Sequence, residues 1–156
     1  MFDPDYPYVC TMNRTLDIRF TTERSDLVEA TMPITEDVLQ PVGLLHGGAT
    51  ITLLESCASR GAELLTDFEK ERCFGIQANI RHWKSGKTGQ ILGQAKLKEN
   101  SNGTQTWEVA AYDQEGDVIS NGTFQTKIVT LERLAEKERK RQERKALLQA
   151  QLRSQA

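Results

Sequence analysis

At 156 residues the chain has the length of one domain, long enough to bury a core and too short for two ordinary domains. Hydrophobic residues make up 38%, and the shortfall from a usual compact domain sits in a polar C-terminal tail. The net charge of −2 divides unevenly: residues 131–156 hold eight Lys or Arg against four Glu, a charge of +4, so residues 1–130 carry −6, and an acidic body of this kind excludes nucleic acid as the main ligand.

The odd set Cys10, Cys57 and Cys73 has no CxxC spacing, which argues against a disulfide framework or a zinc ribbon and for reduced thiols. The opening Met1-Phe2-Asp3-Pro4-Asp5 has no basic or apolar leader region, and no apolar stretch approaches the roughly 18 residues of a membrane span. A cytoplasmic protein with no membrane partner is expected.

In chain order, Leu16, Ile18 and Phe20 alternate with Asp17, Arg19 and Thr21, and Leu27-Val28-Glu29-Ala30-Thr31-Met32 continues after a polar turn, so residues 15–33 read as a hairpin. Residues 48–65 read as a helix. Ala49, Ile51, Leu53, Leu54, Cys57, Ala58, Ala62, Leu64 and Leu65 place apolar or small groups on nearly every side, the pattern of a helix enclosed by protein. Strands are then predicted over 73–83, 90–97, 106–112 and 118–129, separated by Lys84-Ser85-Gly86-Lys87-Thr88-Gly89, Glu99-Asn100-Ser101-Asn102-Gly103 and Asp113-Gln114-Glu115-Gly116-Asp117. One helix against a long antiparallel sheet is an α+β layer solution.

Residues 131–152 lack Gly and Pro and predict a helix. A heptad through Leu131, Leu134, Glu138, Arg141, Lys145, Leu148 and Leu152 has apolar ends and a charged middle, which makes a poor coiled coil. The chain thus divides into a domain over 1–130 and a basic helical tail over 131–156.

Glu55 is the first ionisable residue of the enclosed helix, flanked by Leu53-Leu54 and Ser56-Cys57-Ala58. A carboxylate among apolar groups costs several kcal/mol unless it is paired or protonated. Its presence points either to chemistry or to a basic partner or an exposed stripe. Just upstream, Gly47-Gly48 at the helix start let a ligand approach the backbone, and first-turn N–H groups there suit a developing oxyanion; a tight loop entry with a structural His46 is the plainer reading. His46 and His82 are far apart in sequence and the cysteines are scattered, so no metal-ligand spacing appears. No serine-nucleophile motif or phosphate loop is present.

The run Leu16-Asp17-Ile18-Arg19-Phe20, Leu27-Val28-Glu29-Ala30-Thr31-Met32-Pro33 and Gln40-Pro41-Val42-Gly43-Leu44-Leu45-His46-Gly47-Gly48-Ala49 resembles the hotdog-fold thioesterases of the phenylacetic-acid-degradation (PaaI-like) type. Within these it most resembles the thioesterases acting on 1,4-dihydroxy-2-naphthoyl-CoA and on hydroxybenzoyl-type thioesters. The resemblance covers about residues 14–129. It implies a long antiparallel sheet wrapped around one central helix, and hydrolysis of an acyl-CoA thioester carrying an aryl or medium-length acyl group. It also implies that Glu55 is the catalytic carboxylate, as nucleophile or as general base on water, and that the Gly47 N–H polarises the thioester carbonyl. Gln40 and His46 would orient the carbonyl or the water, with the Ser59 hydroxyl beside the carboxylate. Gly48 and His82 would line the substrate channel; Arg81, Lys84 and Lys87 are candidates to meet the nucleotide phosphates, the plainer reading being solvated surface cations. In the family the carboxylate and the Gln-His-Gly loop come from different subunits, which implies an obligatory homodimer and commonly a homotetramer. No cofactor is expected, coenzyme A being part of the substrate.

Relatives also carry an N-terminal helix, which Asp3-Pro4-Asp5-Tyr6-Pro7-Tyr8, with its two prolines, does not suggest. The rival reading is a hotdog module that binds acyl-CoA without turnover; a hydratase would instead pair Asp with His on one short loop, a pattern not seen in this sequence.

Overall fold

The computed structural model describes residues 11–154, so the readings made for Cys10 and for residues 1–8 lie outside it. The described chain begins with a five-residue helix, α1 (Thr11–Thr15). Asp17 N–H bonds the Arg14 carbonyl at 3.2 Å and Ile18 N–H the Asn13 carbonyl at 2.8 Å, with Asp17 left-handed at φ 50°. That is a Schellman helix end. It explains why the first strand starts at Arg19 rather than near residue 15: residues 16–18 close a helix before the extended run begins.

Strands β1 (Arg19–Glu23) and β2 (Leu27–Pro33) form the expected hairpin. After a 3-10 turn at Glu36–Val38 comes the long helix α2 (Gly47–Leu64), then β3 (Glu71–His82), β4 (Gln90–Ser101), β5 (Thr104–Tyr112), β6 (Val118–Thr130) and the terminal helix α3 (Leu131–Ser154). The six strands make one antiparallel sheet in the order β1-β2-β4-β5-β6-β3. β4 and β5 run further than their apolar alternation suggests. Asn102 and Gly103, at φ 52° and 70°, make a two-residue hairpin, so Ser101 pairs directly with Thr104.

The core lies where α2 crosses the inner face of the sheet. Leu53, Leu54, Cys57, Ala58 and Ala62 meet Val28, Ala30 and Met32 of β2, Ile91 and Ala95 of β4, Trp107, Val109 and Ala111 of β5, and Phe124 of β6. Trp107 is the largest of these and is fully buried. Its indole N–H donates to Thr126 Oγ1 at 3.0 Å, and Thr126 Oγ1 donates to Gln105 Oε1 at 2.7 Å, so the polar edge of the ring is answered inside the core. The ring lies against Gly61, where an added Cβ would collide with it.

The helix is not enclosed all round. Glu55 is exposed, as are Gly48 and Leu64. β3 is the edge strand, and six successive residues, 74–79, are exposed on it, including Phe74 and Ile76. The opposite edge differs: β1 has only five residues, with a register shift between Phe20 and Thr22 and charged ends Arg19 and Glu23.

α3 is fixed at its start by Leu131 N–H on the Lys70 carbonyl (2.8 Å) and by Thr130 Oγ1 accepting from Arg133 N–H (3.3 Å). Beyond Leu134, the described side chains of α3 are exposed, Leu147, Leu148 and Leu152 among them. Its ion pairs, such as Lys140–Glu136 at 2.6 Å, are exposed too and contribute little.

Because Trp107 cannot retreat from Gly61, Gly61→Ala is expected to destabilise the fold by about 1–3 kcal/mol through overpacking. A urea midpoint unchanged from wild type would show that the core can shift to admit the methyl group.

Candidate active site at the start of α2

The segment before α2 is tightly fastened. Gln40 N–H bonds the Leu44 carbonyl at 2.8 Å, Gly43 N–H bonds the Gln40 carbonyl at 2.8 Å, and Gly43 takes φ 73° to allow the turn. His46 N–H reaches the Val38 carbonyl at 2.8 Å, and Leu45 is held from the far side by Gly86 and Ser85. The backbone that delivers His46 and Gly47 is therefore fixed from two directions.

His46 caps the helix. Its Nδ1 accepts from Gly48 N–H at 2.9 Å, and its carbonyl accepts from Ala49 and Thr50 at 3.0 and 3.3 Å. Among the described residues, the N–H of Gly47 has no acceptor. One donor at the positive end of an 18-residue helix is thus left without a partner among the described residues. Gly48 has a different task from the one expected of it: its N–H is spent on His46, and a Cβ there would lie 2.9 Å from His46 Nδ1, so its missing side chain serves the cap.

His82 lies over Gly47. A Cβ built on Gly47 would stand 2.9 Å from Nε2, 3.2 Å from Cε1 and 3.3 Å from Cδ2 of His82. The other ring nitrogen, Nδ1, hydrogen-bonds Ser120 Oγ at 2.7 Å, across the β3–β6 pairing of His82 with Ser120. His46, Gly47 and His82 therefore meet in one chain. Ser120 was missed because nothing local marks it; it is found only through the strand register. The Gln40 side chain has no hydrogen bond among the described residues.

Glu55 stands eight residues further along α2, about 12 Å of helix from Gly47. It has no ion pair and no hydrogen bond among the described residues, so the reading in which a basic partner accounts for it does not apply. Its Oε1 sits 2.9 Å from where a Cβ of Gly75 would be. β3 shifts register between Gly75 and Gln77 at this point, and an isolated glycine within a strand signals such a bulge or close approach; that signal in residues 73–83 was available and went unread. Ser59 lies one turn beyond Glu55 on the same side of the helix, half-buried.

Two of the residues expected to meet phosphates have partners within the chain. The Lys84 ammonium lies between Asp113 Oδ2 (2.5 Å) and Asp117 Oδ2 (2.7 Å). The hydrogen bonds it donates, to Asp113 first and then to Asp117, raise its pKa above the ordinary lysine range. It straps the 83–89 loop to the 113–117 turn rather than standing free for an anion. Arg81 stacks on Trp83, 3.9 Å from the ring centroid, and Trp83 donates to Asn121 Oδ1 at 2.8 Å. Neither described cysteine is an activated nucleophile. Burial pushes the Cys57 thiol up to about 12 and also raises that of half-buried Cys73.

A family model described as the thioesterase superfamily matches residues 42–120. The Escherichia coli 1,4-dihydroxy-2-naphthoyl-CoA hydrolase is 35% identical over 114 residues, 73% of this chain and 83% of that protein. The chain belongs to the thioesterase superfamily. The proofreading thioesterase EntH of Cronobacter sakazakii is similar as well, 34% identical over 78% of this chain and 88% of that protein. Among solved structures, a thioesterase from Pseudomonas aeruginosa superposes with a TM-score of 0.74 at 27% identity, covering 77% of this chain and 86% of that one. The fold is the hotdog thioesterase fold and the chain is a thioester hydrolase. In a thioesterase so built, Gly75 clears the space that the Glu55 carboxylate occupies. Gly75→Ala is expected to lower kcat by about tenfold to a hundredfold by displacing that carboxylate, with the urea midpoint near wild type. Unchanged kcat would show that Glu55 tolerates the methyl group.

Proposed function

We propose that this thioesterase hydrolyses an acyl-CoA thioester of aryl or medium-length acyl chain at a site completed by two copies of the chain. One copy supplies Glu55 and Ser59, and the other Gln40, His46 and Gly47. The observation that carries this reading is the spacing along α2. A carboxylate about 12 Å along the helix from the free Gly47 N–H cannot attack a carbonyl bound to that N–H, so the two groups serve one substrate only if they come from different molecules.

The edge strand supports the pairing. Along β3, Gly75 lies beside Glu55 of α2 near one end, and His82 lies beside Gly47 at the start of α2 at the other. An antiparallel pairing of two β3 strands turns the His82 end of one toward the Gly75 end of its copy, and twofold symmetry builds the site twice. It also covers Phe74 and Ile76 and answers the row of open N–H and C=O groups that a long edge strand leaves.

In this arrangement the Gly47 N–H, helped by the helix dipole, polarises the thioester carbonyl. Gln40 and His46 orient the carbonyl or the attacking water. Glu55 either removes a proton from the water that attacks the carbonyl carbon, that proton then passing to the departing thiolate, or attacks the carbon itself to form an anhydride that water hydrolyses; both routes give coenzyme A as the thiol and the acyl group as the acid. Lys84 has no part in this reading; Arg81 and His82 remain beside the entrance. The E. coli relative, named for an aryl-CoA substrate, supports an aryl acyl group. Free Cys57 and Cys73 fit a reduced, cytoplasmic setting, and two such dimers form the tetramer.

Release of free thiol from a panel of acyl-CoAs tests the reading directly. Glu55→Gln is expected to keep the fold and lower kcat at least about a hundredfold; near-normal turnover would remove Glu55 from the mechanism. The shared site is tested by exchanging subunits between inactive Glu55→Ala and His46→Ala proteins, which should restore part of the activity. Exchange confirmed by mass spectrometry with no recovery would mean either that a single chain contains the whole site or that His46 has another role.

A further inference from the structure

The proposed mechanism leaves one buried hydroxyl without a purpose. Ser120 is 1% exposed, and among the described residues its Oγ has one partner, His82 Nδ1, at 2.7 Å. A serine hydroxyl carries one hydrogen and must donate it when water is excluded. If Nδ1 held the ring proton, Ser120 would accept that bond and its own hydrogen would have no acceptor. The pair is satisfied only when Ser120 donates to a bare Nδ1, and the neutral ring then carries its proton on Nε2.

The position of Nε2 gives that proton something to do. A Cβ at Gly47 would be nearly equidistant from Nε2, Cε1 and Cδ2, at 2.9, 3.2 and 3.3 Å. An approach along the N–H direction would leave both ring carbons markedly further away than the nitrogen. Gly47 therefore packs on the face of the imidazole, and the Nε2–H edge stays open beside it. Gly47, the residue against which the ring packs, is the first of α2 and carries the N–H that has no acceptor among the described residues.

We propose that His82 is a second donor to the thioester carbonyl, its Nε2–H acting beside the Gly47 N–H, and that Ser120 is the positioning residue that keeps the proton on Nε2. This rests on the reading in which Gly47 N–H receives the carbonyl. When the attacking oxygen bonds the carbonyl carbon, the carbonyl π pair moves onto oxygen, and the two N–H groups hold that charge without transferring a proton. When the carbon–sulfur bond breaks, the pair returns to the carbonyl and the sulfur leaves with the bonding electrons. Gly47 needs to be glycine so that the ring can lie flat against it, and His82 needs Ser120 because the opposite tautomer would offer the substrate a bare nitrogen.

Nitrogen NMR of histidine-labelled wild-type protein decides the tautomer. The expected result is a protonated Nε2 and a bare Nδ1 at His82; a proton on Nδ1 overturns the proposal whatever the kinetics. In thiol-release assays, His82→Ala is expected to lower kcat about a hundredfold, the usual loss for one oxyanion donor, with KM little changed. Ser120→Ala is expected to lower kcat about tenfold and to shift the His82 nitrogen signals, while Ser120→Thr, which keeps the hydroxyl, retains both. A rise in KM alone for His82→Ala, or full kcat in Ser120→Ala, overturns the proposal. Should Ser120→Ala fail to fold, the wild-type spectrum and His82→Ala still decide it. A wild-type protein that released thiol from no acyl-CoA would remove the thioesterase reading itself. Hydrolysis that survives His82→Ala at full kcat removes only this inference.

Discussion

An α-helix begins with N–H groups that nothing within the helix can satisfy, and the site described above depends on how α2 answers them. His46 supplies an acceptor to Gly48 through its ring and to Ala49 and Thr50 through its carbonyl. Only Gly47 remains. A more complete cap would make a quieter helix end, and a looser one would scatter the donors. The two glycines have separate physical reasons: Gly48 admits the His46 ring, and Gly47 admits the flat face of His82.

The remainder of the fold presents this end and protects its alignment. The Trp107–Gly61 contact and the small residues Cys57, Ala58 and Ala62 seat α2 closely on the sheet, so the direction of its axis is set by a close-packed core. The 83–89 loop, tied by Lys84 to Asp113 and Asp117 and by Ser85 to Leu45, braces the segment that carries His46. The geometric effect of the Lys84 ion pairs is to join two loops that flank the same helix end.

Much of this was legible in the residues because it is local. The alternation in β2, the turns rich in Gly, Asn and Asp, and the apolar density of α2 each act over a few neighbours, and the Gly-Leu-Leu-His-Gly-Gly run marks the helix entrance. The errors came from contacts between distant segments. Glu55 was placed in an enclosed helix because periodicity reports which residues are apolar and not where the sheet ends; β3 leaves that side of α2 open. Lys84 looked like a free cation because its two aspartates lie about thirty residues away. The His82–Ser120 pair depends on strand register, which no run of residues in either strand specifies. The Schellman end at Asp17 was hidden by an alternation that imitates a strand.

The two margins of the sheet are unlike, and this bears on how large an assembly can grow. β3 is long and open, whereas β1 is short, shifted in register and flanked by charges. In the dimer proposed above, a twofold junction at β3 would consume the more inviting of the two margins and leave β1 at both outer limits of a doubled sheet. Such a junction is self-complementary and terminates itself, so in that dimer the strand most prone to recruit further chains would be the one that a single partner removes from circulation.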